Sequence, residues 1–391
     1  MRAFLRILIP CLLMAALLAA AKYMDTGRYE KPVETIPEDP TLAVVETITT
    51  EPAPTAATIP LPSATEPAPE ETLPEEIASP EPAGNQDRFL LTFAGDCTFG
   101  ANANNYYAQL GFVKTIGDDY GYPFRNVLSY MENDDFTMVN LEGPLCDDGY
   151  PTNGNHVFHG PTAYVNILSQ NSVEAVSLAN DHTDDYGVAG YDTTCSVLND
   201  AYISYVETDS SQIVTLESGL TIGLYATNYI KVDKDALVAQ ITALKEQAVD
   251  LIIYVPHWGV EGSYRPTNEQ TELAHLAIDS GANIVYGTHP HVLQPVEEYN
   301  GGVIFYSLGN FSYGGNSSPK DLDTAIIQQE VHFQADGTIQ LGERTLIPCS
   351  ISSQGGINNY QPTPYSLDSA EYNRAMSKLD GTFTGPNLTA G

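Results

Sequence analysis

Residues 282–291 read ANIVYGTHPH, an apolar run followed by a short segment with two histidines. The first half, from Ala282 to Tyr286, is rich in β-branched and aromatic residues, and Gly287 bounds it, as is typical of a buried β-strand. Similar runs recur from Phe89 onward, and helix-like stretches lie between several of them. This alternation predicts an α/β fold of layered (α+β) type, in which helices cover a β-sheet.

The other elements are predicted from the same rules of composition and length. Strands are predicted at Phe89–Ala94, Phe136–Asn140, Val173–Leu178, Thr221–Ala226, Leu251–Pro256, Ala282–Tyr286 and Val303–Leu308. Helices are predicted at Thr162–Gln170, Asp235–Ala248 and Asn268–Ser280. A strand-rich stretch, Ala325–Phe333 followed by Gly342–Pro348, is expected to close the edge of the fold. After Ser352 the chain is polar and rich in Gly, Asn and Pro, so residues 354–391 are predicted to form a loosely held tail.

The first 87 residues differ in composition from the rest of the chain. Arg2 and Arg6 precede an apolar run from Ile7 to Ala21, whose length is more typical of a secretory signal than of a membrane span. We therefore predict that residues 1–24 are a signal peptide or, if uncleaved, an N-terminal membrane anchor. Either outcome places the protein outside the cytoplasm, secreted or anchored to the cell membrane.

Residues 25–87 are dominated by proline, glutamate, threonine and alanine. Twelve of the 26 prolines lie between Pro32 and Pro82. Such a segment cannot bury enough apolar surface to offset its ordering entropy, so we predict a disordered spacer. A disordered N-terminus without a spacer role is the alternative.

The charge of the chain excludes one class of partner. It has 16 Lys and Arg against 50 Asp and Glu, a formal net charge of −34. Binding to phosphate backbones requires clustered Lys and Arg, so no nucleic-acid partner is predicted. The five cysteines lack CxxC spacing, which excludes a zinc knuckle and leaves one disulfide among the last four open.

Polar side chains directly follow five of the apolar runs. In open α/β sheets ligands bind at the carboxyl ends of the strands, so these side chains are expected to meet. They combine carboxylates, an amide and imidazoles without cysteine, which suits a catalytic site holding Mn, Fe, Zn or Co. The five segments are Ala94-Gly95-Asp96, Asn140-Leu141-Glu142, Asn180-Asp181-His182, Pro256-His257-Trp258-Gly259 and Gly287-Thr288-His289-Pro290-His291.

The pattern continues with Val260-Glu261 and with Ser307-Leu308-Gly309-Asn310-Phe311. Taken together and in this order, the segments resemble the CapA family. These are the poly-γ-glutamate capsule synthesis proteins, a branch of the calcineurin-like metallophosphoesterase superfamily. The resemblance covers about Phe89 to Asn316. For a domain over residues 88–353 it implies a layered metallophosphoesterase-like β-sandwich flanked by helices. It also implies an extracytoplasmic location and a centre of two divalent metal ions at the strand ends.

The resemblance also implies roles for individual residues. His182 matches the catalytic histidine, and Asp185, three residues later, is expected to fix its tautomer. The implied metal ligands are Asp96, Glu142, Asp181, His257, His289 and His291. The implied rim and substrate contacts are Asn140, Asn180, His159, Trp258, Glu261 and Asn310.

This chain departs from the family pattern at two positions. The family usually has Asn where this chain has Asp181, which keeps an oxygen ligand but adds a negative charge. His159 stands where a Phe-Arg-type segment is expected, and an imidazole grips a carboxylate or phosphate less well than a guanidinium. Both departures are expected to affect the choice of substrate more than the fold.

The leading hypothesis is a metal-dependent hydrolase that acts in capsule or envelope polymer metabolism. Two metals would activate a water that attacks a phosphoester or a γ-glutamyl or wall amide. Its expected partners are an anionic envelope polymer or a small phosphoester, together with membrane synthase subunits. The alternative is a non-catalytic polymer-binding or export component of a poly-γ-glutamate synthase complex. A third alternative is a polysaccharide-binding wall protein without metal.

Overall fold

The computed structural model describes residues 88–105, 111–228, 232–334 and 337–388. The predicted signal or anchor at 1–24 and the predicted spacer at 25–87 lie outside the described residues. Within these ranges, no helix has both the length and the apolar character needed to cross a bilayer.

The strands, numbered along the chain, are β1 (Arg88–Thr98), β2 (Ala101–Asn102), β3 (Phe136–Leu141), β4 (Phe158–His159), β5 (Ala175–Ser177), β6 (Ser204–Val206), β7 (Ser210–Thr215), β8 (Thr221–Asn228), β9 (Leu251–His257), β10 (Ile284–Tyr286), β11 (Val296–Tyr299), β12 (Gly302–Phe305), β13 (Asn310–Tyr313), β14 (Asp323–Phe333), β15 (Ile339–Ser350) and β16 (Thr363–Pro364). The α-helices are α1 (Phe112–Ile116), α2 (Leu128–Met131), α3 (Val165–Ser169), α4 (Gly187–Asp200), α5 (Lys234–Glu246), α6 (Asn268–Ser280) and α7 (Ala370–Leu379). Two short 3₁₀ helices lie at Ala103–Asn105 and Thr162–Tyr164.

The strands form two large sheets and one small ribbon. The first sheet has the order β16-β15-β14-β1-β3-β5-β6, with β13 also pairing β1. The second sheet has the order β11-β12-β10-β9-β8-β7, and β2 pairs β4 in the ribbon. As expected, β14 and β15 extend the first sheet toward one edge, where only the two-residue β16 follows.

The two large sheets pack face to face through an apolar core. Phe93 of β1 contacts Tyr286 of β10 and Phe305 of β12, with ring centroids 5.2 and 5.5 Å apart. Residues of β3 and β5 on the first sheet join β8 and β9 of the second in the same cluster. Each fully buried aliphatic or aromatic side chain of this kind contributes about 1.5–3 kcal/mol through removal from water.

Helices cover the outer faces of both sheets. On the first sheet, Val139 and Leu141 share a cluster with Ile167 of α3 and Leu198 of α4. On the second, α5 and α6 pack against Ile252 and Tyr254. The resulting order of layers is helix, sheet, sheet, helix, so the predicted sandwich flanked by helices is confirmed.

The helix over Asn268–Ser280 is bounded by local sequence signals. Thr267 and Gln270 form a capping box in which each side chain bonds the other's backbone N–H. Gly281 ends the helix with φ +122, a value that L side chains rarely adopt. The predicted and observed bounds of this helix therefore coincide.

The parallel strands of both sheets end at the same side of the molecule. In the first sheet β1, β3, β5 and β6 are parallel to one another, and in the second so are β8, β9, β10 and β12. Their carboxyl ends carry the polar segments identified in the sequence. The fold thus has the edge at which a ligand site was expected.

The C-terminal residues differ from the prediction of a loosely held tail. Residues 363–364 add β16 to the first sheet, and α7 packs its buried Ala375 and Leu379 against Leu293 and Ala325. Hydrogen bonds and ion pairs, rather than a long apolar run, hold this segment, so its polar composition gave no sign of order.

Candidate metal centre

The first cluster of candidate ligands joins two carboxylates to one imidazole. Asp96 lies in β1, Glu142 follows β3, and His291 follows β10. Nδ1 of His291 lies 3.4 Å from Oδ2 of Asp96, and its Nε2 lies 3.5 Å from Oε1 of Glu142. Both carboxylates are fully buried, whereas the His291 side chain is 19% exposed.

The second cluster joins one carboxylate to two imidazoles. Asp181 follows β5, His257 ends β9, and His289 lies in the loop after β10. Nε2 of His257 lies 2.9 Å from Oδ1 of Asp181 and 3.1 Å from Nδ1 of His289. Within each cluster, one ligand atom per residue lies within 4.8 Å of the others. A third such group, formed by Glu142, Asp181 and His182, links the two clusters.

The buried carboxylate oxygens test whether this site suits a cation. Oδ2 of Asp96 and both side-chain oxygens of Glu142 are buried and have no hydrogen-bond partner among the described residues. Leaving such groups unpaired costs free energy, and a bound cation would satisfy them. The acid and imidazole donors therefore fit divalent metal ions.

His182 lies beside the candidate ligands Glu142 and Asp181. Its Nδ1 lies 2.8 Å from Oδ2 of Asp185, and this oxygen also accepts a hydrogen bond from the Phe158 backbone N–H. Its ring packs against the Phe158 ring, with centroids 4.3 Å apart. The carboxylate and the aromatic ring together fix the orientation of the imidazole.

Three amide side chains support the candidate ligands. Asn140 donates to Oδ1 of Asp96 at 2.9 Å, and Asn180 donates to Oδ1 of Asn140 at 3.1 Å. Oδ1 of Asn310 lies 2.9 Å from Nδ1 of His291. Asn140 and Asn180 are buried, so the structure places them behind the carboxylates rather than at the rim where they were expected.

The electrostatics of the buried groups are strongly coupled. Burial opposes protonation of His291, but Glu142 and Asp96 raise its pKa to about 10. Burial raises the pKa of Glu142 to about 7, although the charge of His291 acts in the opposite direction. Burial together with the neighbouring imidazoles lowers the pKa of His289 to about 3, so its ring is neutral and can donate a lone pair to a metal.

The backbone at the two histidines after β10 is strained. His289 has φ +97 and His291 has φ +56, values that non-glycine residues rarely adopt. Strain of this kind persists only where the surrounding structure enforces it, and it concentrates at functional sites. Here it turns both imidazoles toward the carboxylates of the first sheet.

A cavity of about 360 Å³ opens beside the first cluster. His182, His291, Asn310 and Glu261 are among the residues that line it. Glu261 is exposed, whereas Asn310 is as buried as Asn180.

Two other expected rim residues do not face this cavity. Trp258 is 3% exposed, and its indole N–H donates to the Tyr306 carbonyl at 2.9 Å, because the chain turns it into the core outside the second sheet. His159 stacks on Tyr186 with centroids 4.2 Å apart, because β4 directs it away from the cavity that the adjacent Phe158 lines.

Comparison with known proteins identifies the family. The family model described as bacterial capsule synthesis protein PGA_cap matches residues 90–314, more than half of the chain. The chain belongs to the PGA_cap family. This confirms the predicted CapA relationship, which rested on the same strand-end segments.

Individual relatives agree with PGA_cap membership. The capsule biosynthesis protein CapA of Bacillus anthracis is 28% identical over 333 residues, which cover 78% of this chain and 76% of the relative. A probable polyglutamine synthesis accessory protein of Mycobacterium tuberculosis is 25% identical over 232 residues, 49% of this chain and 60% of the relative. Among solved structures, Haemophilus influenzae NAD nucleotidase is similar over 75% of this chain and 63% of its own, at 12% identity and a TM-score of 0.39.

The departure at position 181 alters the second cluster of this PGA_cap protein. Asp181 faces His257 and His289, and the charges and hydrogen bond of these imidazoles hold its pKa below the usual range against the effect of burial. It therefore stays a carboxylate, whereas the family resemblance led us to expect a neutral amide at this position. The site carries one more negative charge for a metal to balance.

Two residues near the PGA_cap site were not predicted from the sequence. Oγ1 of Thr98, two residues after Asp96, is a further buried atom without a hydrogen-bond partner among the described residues. Tyr313 packs 5.1 Å from the His291 ring. The alternation of side chains along β1 was the sequence signal that could have identified Thr98, whereas no local sequence pattern marks Tyr313.

The cysteines Cys97, Cys146, Cys195 and Cys349 are all free, so the structure has no disulfide among these four.

Proposed function

We propose that this protein is a metal-dependent hydrolase of capsule or envelope polymer metabolism, acting outside the cytoplasm. The observation that carries the proposal is the set of buried carboxylate oxygens that lack a hydrogen-bond partner among the described residues and face an imidazole from the other sheet. Asp96, Glu142 and His291 would hold one divalent ion, and Asp181, His257 and His289 would hold the second. When bound, such ions polarise a substrate oxygen and lower the pKa of water toward neutrality.

His182 is the proposed general acid. Its Nδ1 faces Asp185, which leaves Nε2 to carry the proton that a leaving group needs. Burial opposes protonation, but the hydrogen bond to Asp185 and the charge of Glu142 raise the pKa of His182 above its ordinary value. The Phe158 ring shields one face of the imidazole from water and holds it toward the cavity.

The proposed substrates are a phosphoester or a γ-glutamyl or wall amide. In both substrate classes the leaving group is an oxygen or nitrogen atom, to which a protonated His182 can donate a proton. Relatives with capsule and polyglutamine synthesis in their names support a role near such a polymer. The polymer and this chain are both anionic and therefore repel each other. Bound metals would offset this repulsion locally, and salt screens it beyond about 8–10 Å, so binding remains compatible with the charges.

The test compares His182→Ala with His275→Ala in the full chain. His275 is a matched control, since its Nε2 lies 2.9 Å from Oε1 of Glu297, away from the candidate ligands. With Mn added, we expect His182→Ala to keep two metals per chain but to lose about 10²–10⁴-fold in kcat on an aryl phosphodiester or a γ-glutamyl anilide. The control should keep both metals and activity.

Loss of the metals from His182→Ala would contradict its role as an acid. Absence of metal from the wild-type protein would contradict the hydrolase itself.

A second candidate is a non-catalytic polymer-binding or export component of a synthase complex. The extra negative charge of Asp181 favours this non-catalytic candidate, because the charge lowers the positive electrostatic potential that would attract an anionic substrate to the site. Two bound metals with no turnover on either substrate class, in the wild type and in Asp181→Asn, would support this candidate over the hydrolase.

A further inference from the structure

The last described residues of the chain lie against the loop that follows β9. Residues 382–388, the C-terminal strap, come after α7 and lie beyond the part matched by the family model, residues 90–314. The loop, residues 258–265, comes directly after the candidate ligand His257. The contact therefore joins the end of the chain to a segment that begins at the candidate metal centre.

Hydrogen bonds fix the far end of the C-terminal strap on this loop. The Leu388 backbone N–H donates to the Gly262 carbonyl at 2.9 Å. Oδ1 of Asn387 accepts from the Tyr264 backbone N–H at 3.1 Å, and its Nδ2 donates to Oγ of Ser263 at 3.2 Å. Gly262 has φ +71, and a Cβ there would lie 2.8 Å from Cβ of Leu388, so only glycine allows this close approach.

A buried lysine anchors the near end of the C-terminal strap. The Phe383 ring packs on the Tyr264 ring with centroids 4.8 Å apart, and Nζ of Lys378, on α7, lies within 5.3 Å of both centroids. The same Nζ lies 2.6 Å from Oδ2 of Asp321 and 2.7 Å from Oδ2 of Asp323. Lys378 is 2% exposed, so the strap starts from a buried and fully paired base.

The loop connects the C-terminal strap to the two strained histidines. Gly262, whose carbonyl accepts from the strap, donates its own backbone N–H to the Pro290 carbonyl at 2.8 Å. Pro290 lies between His289, with φ +97, and His291, with φ +56. Such strain persists only where the surrounding structure enforces it. A single residue, Gly262, thus links the strap to the turn that carries one imidazole of each cluster.

We propose that the C-terminal strap is a positioning element for the imidazoles of His289 and His291. The strap holds Gly262 in place, so that its N–H stays directed at the Pro290 carbonyl. This hydrogen bond in turn holds both histidines in the conformation that directs them to the candidate metal centre. The proposal rests on the proposed function insofar as the two histidines are metal ligands. It gives the end of the chain a role in metal affinity.

The test uses variants of the full chain that each remove one contact of the strap. Leu388→Pro deletes the backbone N–H that donates to Gly262, and its matched control Leu388→Ala keeps that N–H. Asn387→Ala deletes the side-chain hydrogen bonds to the loop. Its matched control is Thr384→Ala, at an exposed residue of the same strap.

Two sets of measurements separate positioning from stability. Calorimetric titration with Mn gives the Kd for metal, and the absorption spectrum of bound Co²⁺ reports the geometry of the ligands. In EDTA, hydrogen exchange of the Gly262 amide reports how often its bond to Pro290 opens, and the Tm reports global stability.

Leu388→Pro and Asn387→Ala are expected to raise the Kd for Mn about tenfold, to alter the Co²⁺ spectrum and to speed exchange of the Gly262 amide about tenfold. The Tm in EDTA should stay close to that of the wild type, and both controls should match the wild type throughout. A merely structural contact would lower the Tm without changing the Kd or the spectrum.

Unchanged exchange at Gly262 in Leu388→Pro, or equally fast exchange in Leu388→Ala, would overturn the proposal. A wild-type Kd for Mn despite faster exchange would overturn it as well. Faster Gly262 exchange in Leu388→Pro alone, in a protein that binds no metal, would leave the hold of the strap on the turn standing and remove the hydrolase.

Discussion

Both ends of the first sheet carry acids, which are fully buried at the carboxyl end and half-buried at the amino end, and the hydrogen bonding of these acids differs. At the carboxyl end, Asp96 and Glu142 keep oxygens without partners among the described residues. At the amino end, Oδ2 of Asp135 accepts the Leu90 backbone N–H at 2.8 Å, and Oε2 of Glu174 accepts the Thr137 N–H at 2.7 Å.

This difference separates a structural acid from a candidate ligand. A buried carboxylate bonded to backbone N–H groups satisfies donors that would otherwise be orphaned, so it stabilises the fold. A buried carboxylate without donors costs stability unless something outside the chain binds it. The acids at the two ends of the sheet therefore differ in hydrogen bonding as well as in burial, and those without hydrogen-bond donors are the candidate metal ligands.

The largest expected effect concerns metal-dependent stability. With free metal at about 1,000 times its Kd, the wild type should gain about 4 kcal/mol over the protein in EDTA. Glu142→Gln removes a carboxylate of the first cluster that also lies next to Asp181 of the second, so most of this gain should be lost. Glu174→Gln, at the other end of the sheet, should keep the gain. Thermal unfolding with and without Mn measures this gain, and equal gains in the two variants would contradict the metal-binding role of Glu142.

A smaller effect is expected from the structural acids. Asp135→Ala leaves the Leu90 N–H without its carboxylate, which should lower the free energy of unfolding by about 2 kcal/mol. The metal-dependent gain should not change. Urea unfolding in EDTA measures the loss, with Asp192→Ala on the exposed side of α4 as the control. A wild-type stability in Asp135→Ala would mean that this hydrogen bond contributes nothing.

The smallest effect is a pH dependence at the amino end. Burial, with the charges of Glu174 and Asp135, raises the pKa of Asp134 to about 7 against hydrogen bonds from Thr92 and Thr137. The folded state then binds more protons than the unfolded state between about pH 4 and pH 7, so this carboxyl lowers stability as the pH rises through that window. Asp134 is only half-buried, so solvent screens much of the full effect of about 1.4 kcal/mol per pH unit. Asp134→Asn should therefore reduce the fall in unfolding free energy between pH 5 and pH 8 by about 1 kcal/mol in EDTA. An identical pH profile in the variant would contradict the raised pKa.

Much of the fold was predictable because its signals are local. The helix at Asn268–Ser280 is defined by a cap residue, an apolar periodicity and a glycine, all read directly from the chain. The six candidate ligands were found because each directly follows or ends an apolar run, and parallel strands bring such positions together. Their pairing across the two sheets is a consequence of topology, which the family resemblance supplied.

The residues that sequence analysis misplaced depend on contacts between distant segments. Nothing near Trp258 shows that its indole turns to the Tyr306 carbonyl, 48 positions away. Lys378 reads as a surface residue of a polar tail, yet it is 2% exposed because two aspartates meet it there. Such placements depend on tertiary partners, and composition does not reveal them.

The candidate ligands divide by sheet, with every oxygen donor on one side and every nitrogen donor on the other. Asp96, Glu142 and Asp181 belong to the first sheet, whereas His257, His289 and His291 belong to the second. Each layer alone holds half a coordination sphere, so tight capture of a cation requires that the layers have already docked. Metal binding would then follow the docking of the two layers, as the last step of folding. Removal of the metal by a chelator would weaken the contact between the layers before either layer unfolds.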